Sequence, residues 1–149
     1  ELAKARAKEA GLLVDCRLGD IGSAYPLQDD FFDLVLDVTS SNSLNEKERG
    51  IYLSEINRVL KKGGYFFVRA LCKDGDKNAK ALLEKNPTEE KDTYFIPELG
   101  LKERIFSRED LIDFYSQYFK IVRLLKKTSY TKFKNQSYRR NFWLAYLQK

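Results

Sequence analysis

Residues 29–68 constrain the fold more than any other part of this 149-residue chain. An apolar run at residues 32–38 is followed by polar residues, by a segment with helical periodicity, and by Gly63 and Gly64 with a second apolar run. The first run is apolar enough to be buried on both faces, as the strands of parallel sheets are. This order predicts a strand, a helix and a second parallel strand, and therefore an α/β fold.

Polar side chains follow the first predicted strand. Asp37, Thr39, Asn42 and Ser43 lie where that strand ends. Open parallel sheets bind ligands beyond the carboxyl ends of their strands, so these residues are candidates for a binding site. Asp37 is a candidate catalytic base, and the alternative is that it caps the loop that follows. Asn42 and Ser43 either contact a substrate or form the turn into the helix.

Local signals predict the remaining elements of a single domain. Helices are predicted at residues 1–10, 45–60, 76–85 and 107–119, and the glycine pair is predicted to end the second of them. Strands are predicted at residues 12–18, 121–125 and 142–147, the first at the edge of the sheet and the last antiparallel. Residues 86–105 show no clear period, so they are predicted to form a long excursion outside the core and a candidate lid over the substrate.

Four motifs occur in a fixed order along the first half of the chain. They are the Leu18 to Ile21 segment, Asp33, the helix end at residues 56–60 and the glycine turn at residues 61–64. Together they resemble the middle section of the class I S-adenosylmethionine-dependent methyltransferases. The resemblance implies a partial Rossmann-like fold, with a mostly parallel sheet, flanking helices and an antiparallel C-terminal strand. It also implies S-adenosylmethionine as the cofactor.

The resemblance implies roles for individual residues. The carboxylate of Asp20 would accept a hydrogen bond from the adenine amino group, and the backbone amide of Ile21 would serve a ring nitrogen. Asp37 and Thr39 would lie at the sulfonium end of the cofactor and face the methyl acceptor. Asp33, at the start of its strand, would be structural. The alternative for Asp20 is a turn aspartate that binds local backbone amides.

Three further residues are candidates for substrate binding. Arg69, near the end of the strand after the glycine pair, could pair with an anionic substrate, and the alternative is a surface arginine on the sheet. Tyr94 and Arg104 belong to the candidate lid. The alternative for both is packing beneath a long loop.

Two features of the family are missing from the sequence. There is no glycine-rich loop for the methionine part of the cofactor and no acidic residue for its ribose. The chain is therefore expected to be the C-terminal two-thirds of the domain. The strand at residues 12–18 would then have no neighbour, so an upstream segment or a second chain is expected to complete the sheet.

The amino-acid composition limits which catalytic groups, metal sites and binding partners are expected. Histidine is absent, which removes the commonest general base near neutral pH and the commonest zinc ligand. Cys16 and Cys72 show no metal-ligand spacing and are expected to be buried thiols. No apolar run is long enough to span a membrane and no signal peptide opens the chain, so a cytoplasmic location is expected. Residues 120–149 carry nine basic side chains and no acidic one, and aromatic residues alternate with them.

These observations favour methyl transfer from S-adenosylmethionine to a small-molecule acceptor. Attack on a sulfonium methyl group needs mainly positioning and exclusion of water, so the lack of histidine is no obstacle. One alternative is an RNA methyltransferase that uses the basic C-terminal ribbon. Another is a non-catalytic module that binds a partner protein.

Overall fold

The structure is a computed structural model that describes residues 1–133 and 135–149, without the side chains of Thr131 and Phe133. The helices are α1 (Leu2–Glu9), α2 (Glu46–Val59), α3 (Lys77–Lys85) and α4 (Arg108–Tyr115), with a 3-10 turn at Ser41–Ser43. The strands are β1 (Phe32–Val38), β2 (Leu60–Leu71), β3 (Thr93–Ile96), β4 (Leu101–Arg104), β5 (Lys120–Phe133) and β6 (Gln136–Gln148). Lys134, one of the nine basic residues noted in the sequence, lies outside the described residues.

Strands β1, β2, β6 and β5 form the main sheet in that order. β1 and β2 are parallel, whereas β6 runs antiparallel to both β2 and β5. Strands β3 and β4 form a separate antiparallel hairpin. The predicted α/β class and the reversed C-terminal strand are confirmed. The reversal makes two of the three pairings in the described part of the main sheet antiparallel, so this sheet is mixed.

Helices α2 and α4 cover one face of the main sheet. Phe66 of β2 is fully buried beneath them, with its ring centroid 6.3 Å from that of Tyr52 and 5.9 Å from that of Tyr115. Burial of large apolar and aromatic side chains of this kind is the main favourable contribution to folding. The core therefore lies between β2, α2 and α4.

The other face of the sheet is open along β1 and the start of β2, whereas Leu71 and Phe142 at its far end are buried with Ala79 of α3. Leu34, Leu36 and Val38 of β1 are exposed by 53%, 63% and 53%, and Tyr65 of β2 is exposed by 50%. The prediction that β1 is buried on both faces is wrong. β1 pairs only with β2 among the described strands, so it forms an edge, and α2 and α4 cover only the opposite face.

Helix α2 begins where its sequence predicts. The side chain of Asn45 accepts a hydrogen bond from the backbone N–H of Glu48, and the Glu48 carboxylate accepts one from the Asn45 N–H. This reciprocal capping box satisfies two N–H groups that a helix start leaves unpaired. The helix ends at Val59 rather than at the glycine pair, because Leu60 is extended and pairs with Phe32.

The strand predicted at residues 12–18 does not form. Leu12 and Val14 are more than half exposed, and Leu13 and Leu18 are fully exposed. Strand pairing supplies the hydrogen bonds that make an extended segment stable, and no strand of the described chain lies beside this one. The prediction is wrong because the alternating pattern carries no information about a partner.

Part of the 86–105 excursion belongs to the core. Tyr94 and Ile105 are fully buried and pack with Leu71, Ala79 and Phe142 in a second, smaller apolar cluster. The prediction that this segment lies outside the core is wrong for those two residues. Ion pairs also tie the segment down: Arg49–Glu90 at 3.0 Å, Lys73–Asp92 at 2.7 Å and Lys91–Asp110 at 2.7 Å.

Both cysteines are free thiols. Cys72 is buried at the end of β2, and burial raises the pKa of its thiol to about 11. Cys16 is only half-buried, in the segment that was expected to be a strand.

Candidate functional site

The backbone turns sharply at the carboxyl end of β1. Thr39 has a φ of 65°, which places a β-branched residue in the left-handed region, where such residues rarely occur. Its N–H donates to the carbonyl oxygen of Arg69 at 2.9 Å, which ties the turn to the end of β2. Strained residues of this kind cluster at binding sites, where the surrounding structure holds them in place.

The carboxylate of Asp37 organises this turn. It is 5% exposed and accepts hydrogen bonds from the Ser40 N–H at 2.8 Å, from the Tyr52 hydroxyl at 2.7 Å and from the hydroxyl of Ser41. Both oxygens are therefore engaged with protein donors. This geometry is that of a group that positions the loop, which was the alternative to its predicted role as a base.

Asn42 is the residue of the turn with no partner. It is 1% exposed, and among the described residues neither Nδ2 nor Oδ1 of its side chain makes a hydrogen bond. The Ser41–Ser43 turn packs against β4 on one side and β2 on the other. Buried side-chain amides nearly always have partners, so an unpaired one at a strand end points to a ligand. Ser43, beside it, is exposed.

The two residues predicted to hold adenine lie next to the start of α2. Asp20 accepts hydrogen bonds from Ser23 Oγ at 2.7 Å and from the Gly22 N–H at 2.8 Å, and these bonds hold the pKa of its carboxyl below the usual range. Such bonds are those of a turn aspartate. The backbone N–H of Ile21 donates to no group in the described residues, so it is free for a ligand.

The three remaining candidates, Arg69, Tyr94 and Arg104, do not lie together. Arg69 pairs in register with Val38, and its guanidinium lies 3.6 Å from the ring centroid of Phe142 on the open face of the sheet. Burial lowers its pKa. Tyr94 is fully buried. Its hydroxyl donates to Glu103 at 2.6 Å and accepts from Arg140 at 3.0 Å.

Arg104 lies away from both Arg69 and Tyr94. It is 8% exposed and lines a groove between α2 and α4, and burial lowers the pKa of its guanidinium. The structure thus brings Asp37, Thr39, Asn42 and Arg69 to one edge of the sheet, and it places Tyr94 in the core.

Sequence reasoning missed two donors of the turn. Tyr52 was identified only as an apolar residue at helical spacing, and Ser41 was not singled out. Both hydroxyls donate to Asp37. A buried acid at a strand end needs nearby donors, and this requirement is the signal that could have found them.

Residues 1–68 match the family model described as a methyltransferase domain. The match covers 68 of the 149 residues. The match spans α1, β1, α2 and most of β2, and so includes the whole turn at the end of β1. No curated protein sequence matches the chain.

Solved structures extend the likeness to the rest of the chain. A S-adenosylmethionine-dependent methyltransferase of Methanosarcina mazei has a TM-score of 0.79 and 20% identity, over 99% of this chain and 76% of its own. A methyltransferase of Thermotoga maritima, described as a "possible histamine N-methyltransferase", has a TM-score of 0.64 and 24% identity, over 100% of this chain and 70% of its own. The [4+2]-cyclase SpnF has a TM-score of 0.58 and 26% identity, over 84% of this chain and 40% of its own.

The match over residues 1–68 bears out the predicted resemblance to methyltransferases in that part of the chain, and the solved structures bear out the predicted fold. At such identities the solved structures show the fold and leave the acceptor open. Within the described residues, no helix is long and apolar enough to cross a membrane.

Proposed function

We propose that this chain belongs to an enzyme that transfers a methyl group from S-adenosylmethionine to a small-molecule acceptor at the carboxyl ends of β1 and β2. The observation that carries this proposal is the side chain of Asn42, a buried amide without a partner in the turn that follows β1. It offers one acceptor and two donor hydrogens to a polar group of the acceptor molecule.

The residues around this turn fit the cofactor. The free N–H of Ile21 can donate to a ring nitrogen of adenine, and a bound cofactor supplies an electrophilic methyl group on sulfur. Asp37 holds the turn through Ser40, Ser41 and Tyr52, and Thr39 projects from the strained position beside it. We assign to Asp37 a positioning role rather than that of a base.

Two further side chains would contact the acceptor. Ser43 is exposed next to Asn42, and Arg69 lies beside Val38 with no carboxylate partner in the described residues. Arg69 favours an acceptor with an anionic group near the strand ends. The hairpin β3–β4 packs against the turn and would cover the acceptor from the other side.

The first experiment is calorimetric titration of the protein with S-adenosylhomocysteine. We expect binding, and we expect Asp20→Asn to weaken it at least about tenfold, because the Asp20 carboxylate holds the turn that presents the Ile21 N–H through hydrogen bonds worth roughly 1.5–3 kcal/mol each. Asp33→Asn is the matched control, since Asp33 is exposed at the other end of β1 and pairs only with Lys61. Absence of binding in the unmodified protein contradicts the cofactor assignment.

A second candidate acceptor is RNA, and the C-terminal ribbon favours it. β5 and β6 pair from Lys120 with Gln148 to Phe133 with Gln136, whereas β2 supports β6 only from residue 142 to residue 148. The two-stranded ribbon therefore extends past the sheet. Lys126, Lys132 and Arg139 on it have no acidic partner in the described residues, and Tyr130, 72% exposed, pairs with Arg139 across the strands.

Filter binding with a single-stranded RNA over a series of salt concentrations tests this candidate. If the ribbon neutralises phosphates, affinity falls linearly on logarithmic axes, and each lost contact lowers the slope by roughly 0.7 for single strands. Lys132→Gln with Arg139→Gln should then lower the slope, whereas Lys8→Gln on α1 should not. Equal slopes for all variants would exclude the ribbon as an RNA-binding surface.

A further inference from the structure

A second concave region lies away from the strand ends. It is a groove of about 420 Å³ between α2 and α4, closed by residues of β4 and of the segment before β3. This volume is within the range of small-molecule sites. None of residues 37–43 lines the groove, so it is separate from the candidate methyl-transfer site.

Arg104 is the one basic side chain in the groove that lacks a close acidic partner among the described residues. Its guanidinium makes no hydrogen bond there, and its nearest carboxylate is that of Asp110 at 3.8 Å. The other two cations are paired, since Arg49 binds Glu90 at 3.0 Å and Lys91 binds Asp110 at 2.7 Å. The Arg104 side chain is 10% exposed and lies over the Phe106 ring, 5.2 Å from its centroid, so its guanidinium can still accept an anion as a hydrogen-bonded partner.

Two carboxylates at the mouth of the groove are also unpaired. Glu46 in the first turn of α2 and Asp113 on α4 are exposed, and neither makes an ion pair or a hydrogen bond with a basic side chain in the described chain. They disfavour a simple dianion such as phosphate, since four carboxylates line the groove in total. They favour a ligand that also carries a positive charge.

The remaining wall is apolar. Phe106 and Phe114 lie with ring centroids 6.0 Å apart, and Leu53 of α2 lines the groove with them. Gly50 faces the groove from α2, where a Cβ would meet no atom within 4 Å. The groove therefore has room beside an apolar surface.

We propose that this groove binds a small zwitterion of the amino-acid type with an apolar side chain. The ligand's carboxylate binds the guanidinium of Arg104, its ammonium group binds Asp113 or Glu46, and its side chain packs on Phe106 and Phe114. The groove presents a buried cation, an apolar wall and acidic side chains at its mouth, and these parts complement the carboxylate, the side chain and the ammonium group of the ligand. The site is independent of S-adenosylmethionine and of the strand-end acceptor site.

Calorimetric titration with L-phenylalanine tests the proposal, with phenylacetate and phenethylamine as the matched ligands that each lack one charge. We expect L-phenylalanine to bind at least about tenfold more tightly than phenethylamine, which leaves the Arg104 guanidinium without its anion, and less than about tenfold more tightly than phenylacetate, which loses only the pairing with the exposed Asp113 or Glu46. Equal binding of the three compounds, or no binding of L-phenylalanine at millimolar concentration, would overturn the proposal.

Variants of the protein separate binding from folding. Arg104→Gln should weaken binding of L-phenylalanine at least about tenfold, since the charge-assisted hydrogen bonds are lost. Gly50→Leu should abolish binding by filling the groove, and it should not unfold the protein because no atom lies within 4 Å of the added Cβ. Arg108→Gln, exposed on α4 outside the groove, and Gly50→Ala are the controls and should bind normally.

The two sites are distinguished by running the same variants against S-adenosylhomocysteine. Gly50→Leu should bind it as the unmodified protein does. Loss of both ligands in Gly50→Leu would contradict a separate site. Binding of L-phenylalanine to a protein that fails to bind S-adenosylhomocysteine would support the groove and refute the proposed methyl transfer.

Discussion

The polar residues at the end of β1 divide into those that hold the turn and those left free for a ligand. Asp37 belongs to the first group, because its oxygens accept from Ser40, Ser41 and Tyr52. Asn42 belongs to the second group, because its amide has no partner in the described chain. Asp37 and Asn42 therefore differ in how fully the protein itself bonds their polar atoms, and separate substitutions should have different effects.

Replacing Tyr52 by phenylalanine should destabilise the protein without changing its shape. The Tyr52 hydroxyl donates to Asp37 at 2.7 Å in a buried place, and burial raises its pKa well above the usual value. A hydrogen bond to a charged group contributes about 1.5–3 kcal/mol, so we expect a loss of that order in urea denaturation. Tyr118→Phe is the control, since Tyr118 is 44% exposed and makes no hydrogen bond through its hydroxyl in the described chain. Equal losses in the two variants would contradict this account.

Replacing Asn42 by leucine should have the opposite effect on stability. The substitution removes a buried amide whose two polar atoms are unpaired, at nearly constant volume. Leaving such atoms unsatisfied costs about 1–3 kcal/mol, so the free energy of unfolding without ligand should rise or stay equal. Turnover of the acceptor should fall, because the polar contact is gone. A loss of stability above about 1 kcal/mol would mean that the amide is already satisfied in the native protein.

At the scale of the elements, Gly50 of α2 and Gly64 of β2 differ in the space available for a side chain. A Cβ at Gly50 would meet no atom within 4 Å, whereas a Cβ at Gly64 would lie 2.9 Å from the Lys61 carbonyl oxygen. Gly50→Ala should therefore stabilise the protein by about 0.5–1 kcal/mol, which raises Tm by roughly 1–4 °C for a chain of this size. Gly64→Ala should lower Tm. Differential scanning calorimetry of both variants checks the pair, and a change of the same sign in both would refute the prediction.

The irregular segment at residues 20–31 depends on α2 for its position. Arg58 donates to the carbonyl oxygens of Leu27 and Tyr25, and Glu55 accepts from the Tyr25 N–H at 2.6 Å. Arg58 also binds Glu55 at 2.7 Å. The hydrogen bond from Arg58 and the other contacts lower the pKa of Glu55 to about 2.

The contacts of Arg58 and Glu55 with residues 25–27 predict a dependence of stability on pH. The pKa of Glu55 is lower in the folded protein than in the unfolded chain, so its contribution is present above the unfolded value of 4.5 and is lost as pH falls towards about 2. We expect urea midpoints to fall over this range, and to fall less steeply in Glu55→Gln. Glu84→Gln, which removes an exposed carboxylate 3.9 Å from Lys80, should leave the profile unchanged. Identical slopes for all three proteins would exclude Glu55 as a contributor.

The sequence predicts those elements whose signals are local. The capping residues Asn45, Asp76 and Ser107 lie at the starts of α2, α3 and α4, and each accepts a hydrogen bond from a backbone N–H in the first turn. The hairpin β3–β4 and the irregular path of residues 12–18 could not be predicted in this way. Both depend on whether a partner strand is present, and an alternating pattern is the same in either case.

The two candidate sites also differ in how far the sequence predicts them. The edge that holds Asp37 and Asn42 follows from the order of strands and helix, because strand ends gather at one side of a parallel pair. The charge pattern of the groove at Arg104 depends on which cation pairs with each carboxylate. Asp110 pairs closely with Lys91 and not with Arg104. Lys91 is 19 residues from Asp110 and Arg104 is only six, so separation along the sequence does not predict this choice.

For the whole molecule, the open face of the main sheet is the feature that most separates this structure from an ordinary globular domain. Leu34, Leu36, Val38 and Tyr65 are each at least half exposed on adjoining strands. The backbone of β1 also has a free edge in the described chain. Contiguous apolar surface next to an unpaired strand promotes association, so the expectation of an upstream segment or a second chain stays a prediction that this surface supports.

Self-association through this face gives the last prediction. We expect the protein to form dimers or larger species in sedimentation velocity as its concentration rises, and Leu36→Lys to shift the distribution towards the monomer. Leu36 is 63% exposed, so the substitution removes little burial within the chain, whereas a lysine at the centre of the face opposes pairing of two copies. Leu99→Lys is the control, because Leu99 is 54% exposed between β3 and β4, away from the sheet. Equal association in both variants would show that the copies meet elsewhere. A monomer at all concentrations, in a protein that retains the exposed face, would show that this apolar surface does not drive pairing.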